Sequence, residues 1–368
     1  MTPEPRAARL GSAAALLTAR SLDAVVVTDL LNVRHLCGYT GSNGLLLLLR
    51  DRRVFFTDSR YTLQAREETT GVEVVETPDL DQAACSLAQE AGVRAAGLEE
   101  RSLSVTRWKR FGELLPGVER TDASDALDGL RRSKDAEELR ALRAAAGVAE
   151  EALRRVLPLV RPGASELEVA TAFHMEALRL GADSLSFDTI VAGGFRGALP
   201  HAQPGERRFE SGDLVVFDFG VRLHGYCSDE TVTVPVGRIS KEARRVYDTV
   251  FEAQRAALKT VRPGVPLVDV DGAARKWIAD AGYGALFGHG TGHGVGLAVH
   301  EAPTVSTRSK DVAEEGVVFT VEPGVYVAGK FGVRLEDCLV VTASGYEMIT
   351  SAPKELGAVW DWSLSGAD

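Results

Sequence analysis

An approximate duplication runs through the C-terminal two thirds of this 368-residue chain, and it constrains the fold more than any other feature. Val160-Arg161-Pro162-Gly163 returns 101 residues later as Val261-Arg262-Pro263-Gly264, and each copy lies between two helix-like stretches. Further on, Gly212-Asp213-Leu214-Val215-Val216-Phe217-Asp218 returns in pattern, 104 residues later, as Gly316-Val317-Val318-Phe319-Thr320-Val321-Glu322. Each is a glycine, an apolar run and then an acid in the interior of a strand. A buried carboxylate is costly unless it is paired or coordinates a metal. Two copies related by a local two-fold bring the acids together. The duplication therefore predicts a site between the halves, with carboxylates from both.

The length suits two domains or one large one. A net charge of −10, from 42 basic and 52 acidic residues, argues against nucleic acid or an anionic membrane surface as a partner. Cys37, Cys85, Cys227 and Cys338 form no CxxC pair and read as reduced structural thiols of a cytoplasmic protein. The alanine-rich stretch Leu10 to Leu17 is too short for a membrane span and reads as a first helix packed on its own domain.

The first 130 residues alternate helical and extended patterns. Helices fall near 5–19, 61–67, 80–91 and 105–115, and strands near 24–27, 45–49, 54–56, 72–75 and 95–98, with a turn region after the first strand. That interleaving predicts an α/β sheet covered by helices. No GxGxxG or P-loop lysine follows any strand, so nucleotide binding has no support. The boundary falls near 130, and residues 131–368 form a second, α+β domain with internal two-fold symmetry. Its helices are expected at 135–159, 165–181, 241–261 and 267–282. Its strands are expected at 186–192, 213–220 and 226–235, and near 286–289, 295–300, 317–323 and 333–341. Asp135 with Glu138 loosely fits a capping box at the first of these helices.

Asp218 and Asp229 lie symmetrically about a turn at 223/224, which would oppose them across a hairpin with Cβ atoms about 5 Å apart. Carboxylates that close repel each other unless a cation lies between them. The second copy supplies Glu322 and, on the next strand, Glu336, with an asymmetric loop or bulge near Gly329 needed to align the pair. Gly288-His289-Gly290-Thr291-Gly292-His293-Gly294-Val295-Gly296 and then His300 place three of the seven histidines within twelve residues. One imidazole with four carboxylates suits Mn²⁺ or Co²⁺, with Zn²⁺ or Fe²⁺ also compatible. Two dications balance four carboxylates, and one does not.

Asp218, Asp229, His293, Glu322 and Glu336 resemble the five-ligand set of the pita-bread metallopeptidases, which include methionine aminopeptidase, aminopeptidase P and prolidase. Leu199-Pro200-His201, Gly225-Tyr226-Cys227-Ser228-Asp229, Val299-His300-Glu301, Glu322-Pro323-Gly324-Val325-Tyr326 and Gly332-Val333-Arg334-Leu335-Glu336-Asp337 are similar to the Xaa-Pro branch. Asn32-Val33-Arg34, Gly38 to Ser42 and Thr57-Asp58-Ser59-Arg60-Tyr61 resemble its creatinase-like first domain.

The resemblance implies a pita-bread catalytic domain holding two divalent metal ions, Mn²⁺ first among the candidates, with Asp229 and Glu336 shared by both. His293 and Glu322 complete one ion and Asp218 the other. A water between the ions becomes hydroxide near neutral pH. It further implies that Glu322 shuttles a proton, that His300 and His289 stabilise the oxyanion, and that His201, Tyr326 and Arg334 position the substrate. The 1–130 domain would dimerise the chain and gate the substrate.

The implied activity is an aminopeptidase P-like exopeptidase acting on Xaa-Pro peptides. The alternatives are an Xaa-Pro dipeptidase or an aminopeptidase of broader specificity. Thr304 stands where dipeptide-cleaving prolidases often carry an arginine for the substrate carboxylate, and Thr231-Val232-Thr233 replaces the usual Thr-Arg-Thr. Creatinase-like amidinohydrolases and non-catalytic binding relatives lack metal ligands, whereas this chain keeps all five.

Overall fold

A computed structural model describes residues 3–364, in two compact units that divide between Arg131 and Arg132. In the first unit a six-stranded sheet runs in the order 73–76, 53–57, 45–49, 24–27, 95–98, 119–122. Its central strands, Ala24–Val27 and Leu45–Leu49, are apolar at every position because both faces are covered. Alternation splits them between two cores. Val25, Val27, Leu46 and Leu48 pack with Leu10, Ala13 and Leu17 of the first helix, and Ala24, Val26, Leu45 and Leu47 pack with Ala84, Cys85 and Phe111. The first helix thus packs on its own domain, and no helix among the described residues is long and apolar enough to cross a membrane.

The region read as a turn after the first strand is a helix, Leu30–Cys37, capped by Asp29 and ended by Gly38 at φ 90°. Its two turns are too short for an apolar period to register. A strand Glu119–Asp122 and a helix Ser124–Gly129 also lie beyond the expected elements.

The second unit carries the duplication in its backbone. Helices Glu166–Arg179 and Leu267–Asp280 have the same length, and their flanking glycines repeat a left-handed conformation, with φ of 89° and 85° at Gly163 and Gly264. The long helix Ala136–Val156 does open on an Asp135 capping box. In the first half it packs with helix Glu166–Arg179 on a sheet ordered 230–235, 214–219, 190–193. In the second half, helices Lys241–Thr260 and Leu267–Asp280 pack on a sheet ordered 301–305, 292–294, 318–321, 337–342, 345–348. The halves join where Glu336 N–H donates to Thr231 O at 3.0 Å.

Three local expectations change. Residues 284–286 form a 3₁₀ turn, and the strands fall at Gly292–Gly294 and Glu301–Val305, with 295–300 irregular between them. The first hairpin turns at His224-Gly225, one residue later than expected, because both take positive φ (48° and 80°) as a tight two-residue turn requires. Asp218 therefore faces Thr231, and Asp229 sits two residues before Thr231 on the same face. The second hairpin needs neither a bulge nor an asymmetric loop. A three-residue loop centred on Gly329 (φ 72°) keeps Gly324 opposite Arg334 and Val321 opposite Asp337, a register that places Glu322 level with Glu336.

Candidate metal centre

The ladders on either side of Glu322 and Glu336 stop at these two residues because each bonds to a third strand. Glu322 N–H donates to Thr291 O at 2.8 Å, and Glu336 N–H to Thr231 O. Both acids are thereby turned towards the junction of the halves, where Asp218 and Asp229 arrive from the first hairpin. His293 comes from the short strand Gly292–Gly294, whose glycines have a steric cause. A Cβ on Gly292 would lie 1.9 Å from Thr320 O, and one on Gly294 would lie 2.3 Å from Ala302 O. Only glycine lets both neighbouring strands close around His293.

The donors converge in overlapping sets. Ligand atoms of Asp218, Asp229 and Glu336 lie within 4.8 Å of one another, as do those of His293, Glu322 and Glu336, and those of Asp229, His293 and His300. His293 Nε2 is 3.5 Å from Asp229 Oδ2 and 3.4 Å from Glu322 Oε1. These separations are long for hydrogen bonds. They match two ligands of one ion, which stand about 3.4 Å apart when each bond is about 2.1 Å and the angle tetrahedral.

Charge and proton positions fit a cation as well. Burial pushes the carboxyls of Asp229, Glu336 and Glu322 upward, and the first two are raised further by neighbouring acids, Glu336 and Asp218 on Asp229 and Glu322 and Asp218 on Glu336. Asp218 Oδ1 is buried without a hydrogen-bond partner. Burial lowers His293, and its Nδ1 faces Gly294 O at 3.1 Å. A carbonyl only accepts, so Nδ1 carries the proton and Nε2 presents a lone pair to the centre. Thr231 Oγ1 donates to Glu336 Oε2 at 2.7 Å, and Thr320 Oγ1 to Glu322 Oε1 at 3.3 Å. Neither threonine was singled out as an orienting group from sequence, although Thr231 shares the face of Asp218 and Asp229 by parity.

Around the donors lies a cavity of about 460 Å³. His201, His289, His300 and Arg334 line it together with all five donors, and Phe187, Ile190, Pro200, Ala202 and Pro204 form an apolar wall. His300 is exposed, with its ring centroid 4.2 Å from that of His293. His289 has both ring nitrogens engaged. Nδ1 donates to Gly290 O at 2.7 Å, and Nε2 accepts from Tyr326 Oη at 2.9 Å, so neither is left to donate to an oxyanion. Tyr326 in turn accepts from Arg334 Nη1 at 3.0 Å. Arg334 also donates to Asp218 Oδ2, to Thr231 Oγ1 at 3.2 Å and to Pro200 O at 3.1 Å. Burial opposes its charge, but Asp218 and Tyr326 hold it protonated. Thr304 faces His293 across the ladder and is exposed.

Known proteins resemble the chain in sequence and in fold. The model of metallopeptidase family M24 matches residues 140–343, and that of the creatinase/prolidase N-terminal domain matches residues 9–133. An uncharacterised peptidase of Bacillus subtilis is 40% identical over 336 residues, covering 91% of this chain and 95% of the relative. Among solved structures, an Xaa-Pro dipeptidase from Bacillus anthracis aligns with a TM-score of 0.93 at 36% identity, over 95% of this chain and 99% of the other. An X-Pro aminopeptidase from Thermotoga maritima aligns with a TM-score of 0.86 at 35% identity, over 91% and 97%. With two hairpins bringing four acids to His293 in one cavity, and with these matches over more than half of its length, the chain belongs to metallopeptidase family M24.

Proposed function

We propose that the chain is an exopeptidase that depends on two divalent metal ions and removes the N-terminal residue of Xaa-Pro peptides, in the manner of aminopeptidase P. The observation that carries this reading is the sharing of donors. Glu336 belongs to two of the three converging sets, one with Asp218 and Asp229 and one with His293 and Glu322. Asp229 and Glu336 would be common to both ions, Asp218 would complete one, and His293 and Glu322 the other. Mn²⁺ suits this oxygen-rich set, with Co²⁺ or Zn²⁺ as alternatives. Such a pair of ions supplies Lewis acidity and acidifies a water.

The remaining steps belong to the chain's own side chains. Glu322, whose carboxyl is pushed up by burial, takes a proton at Oε and returns it to the departing proline nitrogen. His300, exposed at the cavity, donates to the oxyanion, and His201 orients the peptide. Arg334 and Tyr326 position Asp218 and His289 through the hydrogen bonds described. The apolar wall of Phe187, Ile190, Pro200, Ala202 and Pro204 receives the pyrrolidine ring. The first domain would serve dimerisation and gating, and sedimentation showing a fully active monomer would remove that role.

Solved relatives named for dipeptide and for aminopeptidase activity are about equally identical to the chain in sequence, at 36% and 35%, although the dipeptidase aligns with the higher TM-score, so substrate length is argued from residues. Arg334 is the one permanently charged cation lining the cavity among the described residues, and it is committed to Asp218. With threonine at 304, no cation is left for a dipeptide's carboxylate. A charge-assisted bond of that kind is worth about 1.5–3 kcal/mol, or roughly 10- to 100-fold. Ala-Pro-Ala is therefore cleaved at least as well as Ala-Pro, Ala-Ala-Ala is cleaved poorly, and Thr304→Arg shifts preference to the dipeptide. Assays of the three peptides with added Mn²⁺, Co²⁺ or Zn²⁺ decide it. Cleavage of Ala-Pro alone would make the chain a prolidase with another carboxylate anchor.

A further inference from the structure

Two of the five donors have an acidic neighbour that faces away from the centre. Asp229 is followed by Glu230, and Glu336 by Asp337. Alternation along an extended chain sends such neighbours to opposite faces. Across the ladders, Glu230 faces Phe219 and Asp337 faces Val321, whereas Asp218 faces Thr231. Glu230 and Asp337 are almost completely buried, so each needs a partner.

One cation answers both. Lys354, whose side chain is 5% exposed, lies 2.5 Å from Glu230 Oε1 and 3.0 Å from Asp337 Oδ1, and donates to Ala352 O at 2.6 Å. Asp337 also accepts from Thr350 Oγ1 at 2.9 Å and from Gln254 Nε2 at 3.0 Å. The Gln254 amide reaches Val321 O at 3.3 Å, on the residue before Glu322. This polar layer therefore sits directly behind Asp229, Glu336 and Glu322. Burying such charges is a poor way to gain stability, since apolar side chains of similar volume serve as well or better. What the layer does provide is a fixed spacing between strand Glu230–Pro235 of the first half and strand Asp337–Thr342 of the second.

We propose that Lys354 is a positioning residue for the metal centre: by bridging Glu230 and Asp337 across the junction of the halves, it sets the separation of Asp229 and Glu336. The inference rests on the reading of those two acids as shared ligands. Partners one step removed from the ligands typically govern metal affinity by about 10- to 100-fold.

Two variants test it without relying on turnover. Lys354→Met/Glu230→Gln removes the cation together with one acid, so the net charge of the layer is unchanged. Asp337→Asn is nearly isosteric and removes one charge. Metal-free full-length proteins are compared by thermal unfolding and by calorimetric titration with Mn²⁺ alone. The expected result is Mn²⁺ affinity lowered about 10- to 100-fold in both, with a lower unfolding midpoint for the double variant, which leaves Asp337 without its cation. Mn²⁺ affinity within about threefold of wild type in a folded variant overturns the proposal, because a purely structural layer would move stability and leave affinity alone. If the double variant does not fold, Asp337→Asn decides by the same criterion. A wild-type protein that binds no Mn²⁺, Co²⁺ or Zn²⁺ would instead overturn both this inference and the metal reading beneath it.

Discussion

The residues of the cavity differ in what their loss removes. Asp229 and Glu336 each stand in two of the converging donor sets, so Asp229→Ala or Glu336→Ala is expected to shed metal and abolish activity together. His300 stands at the exposed edge, and His300→Ala is expected to keep its metal while kcat falls ~10²–10³-fold, the usual cost of one oxyanion donor. Metal per chain measured beside kcat separates the two. A His300→Ala protein that loses metal and recovers full rate in excess Mn²⁺ would make His300 a ligand, consistent with its grouping with Asp229 and His293. Asp218 and Glu322 are legible as acids ending apolar runs, and Asp229 and Glu336 through the hairpins they imply, whereas His289 and His293 both stand between glycines and only the family resemblance separates them. The bonds that engage both nitrogens of His289, and the threonines that aim Glu336 and Glu322, are not legible. Tyr326 reaches His289 across 37 residues and Thr231 reaches Glu336 across 105, separations to which no local pattern points, while the short-range bonds of His289 to Gly290 and of Thr320 to Glu322 depend on rotamers that packing sets.

At the scale of elements, long helices with strong apolar periods are readable, and so is the duplication that repeats them. Register is not, because it depends on turn geometry: positive φ at His224-Gly225 moves the first hairpin, and Gly329 alone straightens the second. The glycine-rich loop shows why. Its sequence predicts strands on either side of the actual one, because glycine carries no apolar signal and reveals nothing of the strands it admits. Two glycines make this testable. Gly272 lies exposed within helix Leu267–Asp280 with open space beside it, so Gly272→Ala should stabilise the protein by about 0.4–1 kcal/mol. Gly292→Ala would drive a methyl into Thr320 O, and the loss should exceed the ~1 kcal/mol of an average substitution. Urea unfolding measures both, and equal effects would remove the steric account of the Gly-His-Gly strand.

For the whole molecule, the two units have separate cores, built from residues between Leu10 and Leu130 in one and between Ala145 and Trp362 in the other. Every donor atom lies in the second unit, between Asp218 and Glu336. A chain of this kind need not unfold in one step. Metal bound to the folded state alone stabilises it by about 4 kcal/mol when free metal is 1,000 times Kd. For a unit of this size each kcal/mol raises the midpoint by about 2–4 °C, which gives a shift of roughly 8–16 °C. Stripping the metal leaves four carboxylates facing one another in the cavity, so the apoprotein should show the catalytic unit melting first. Calorimetry of the chelator-treated protein with and without Mn²⁺ is expected to show two transitions, of which metal moves only the one that belongs to residues 132–368. Expressing residues 132–368 alone identifies that transition. If both transitions move together by the same amount, the units unfold as one cooperative block, and the stability of the first would then depend on ions it does not hold.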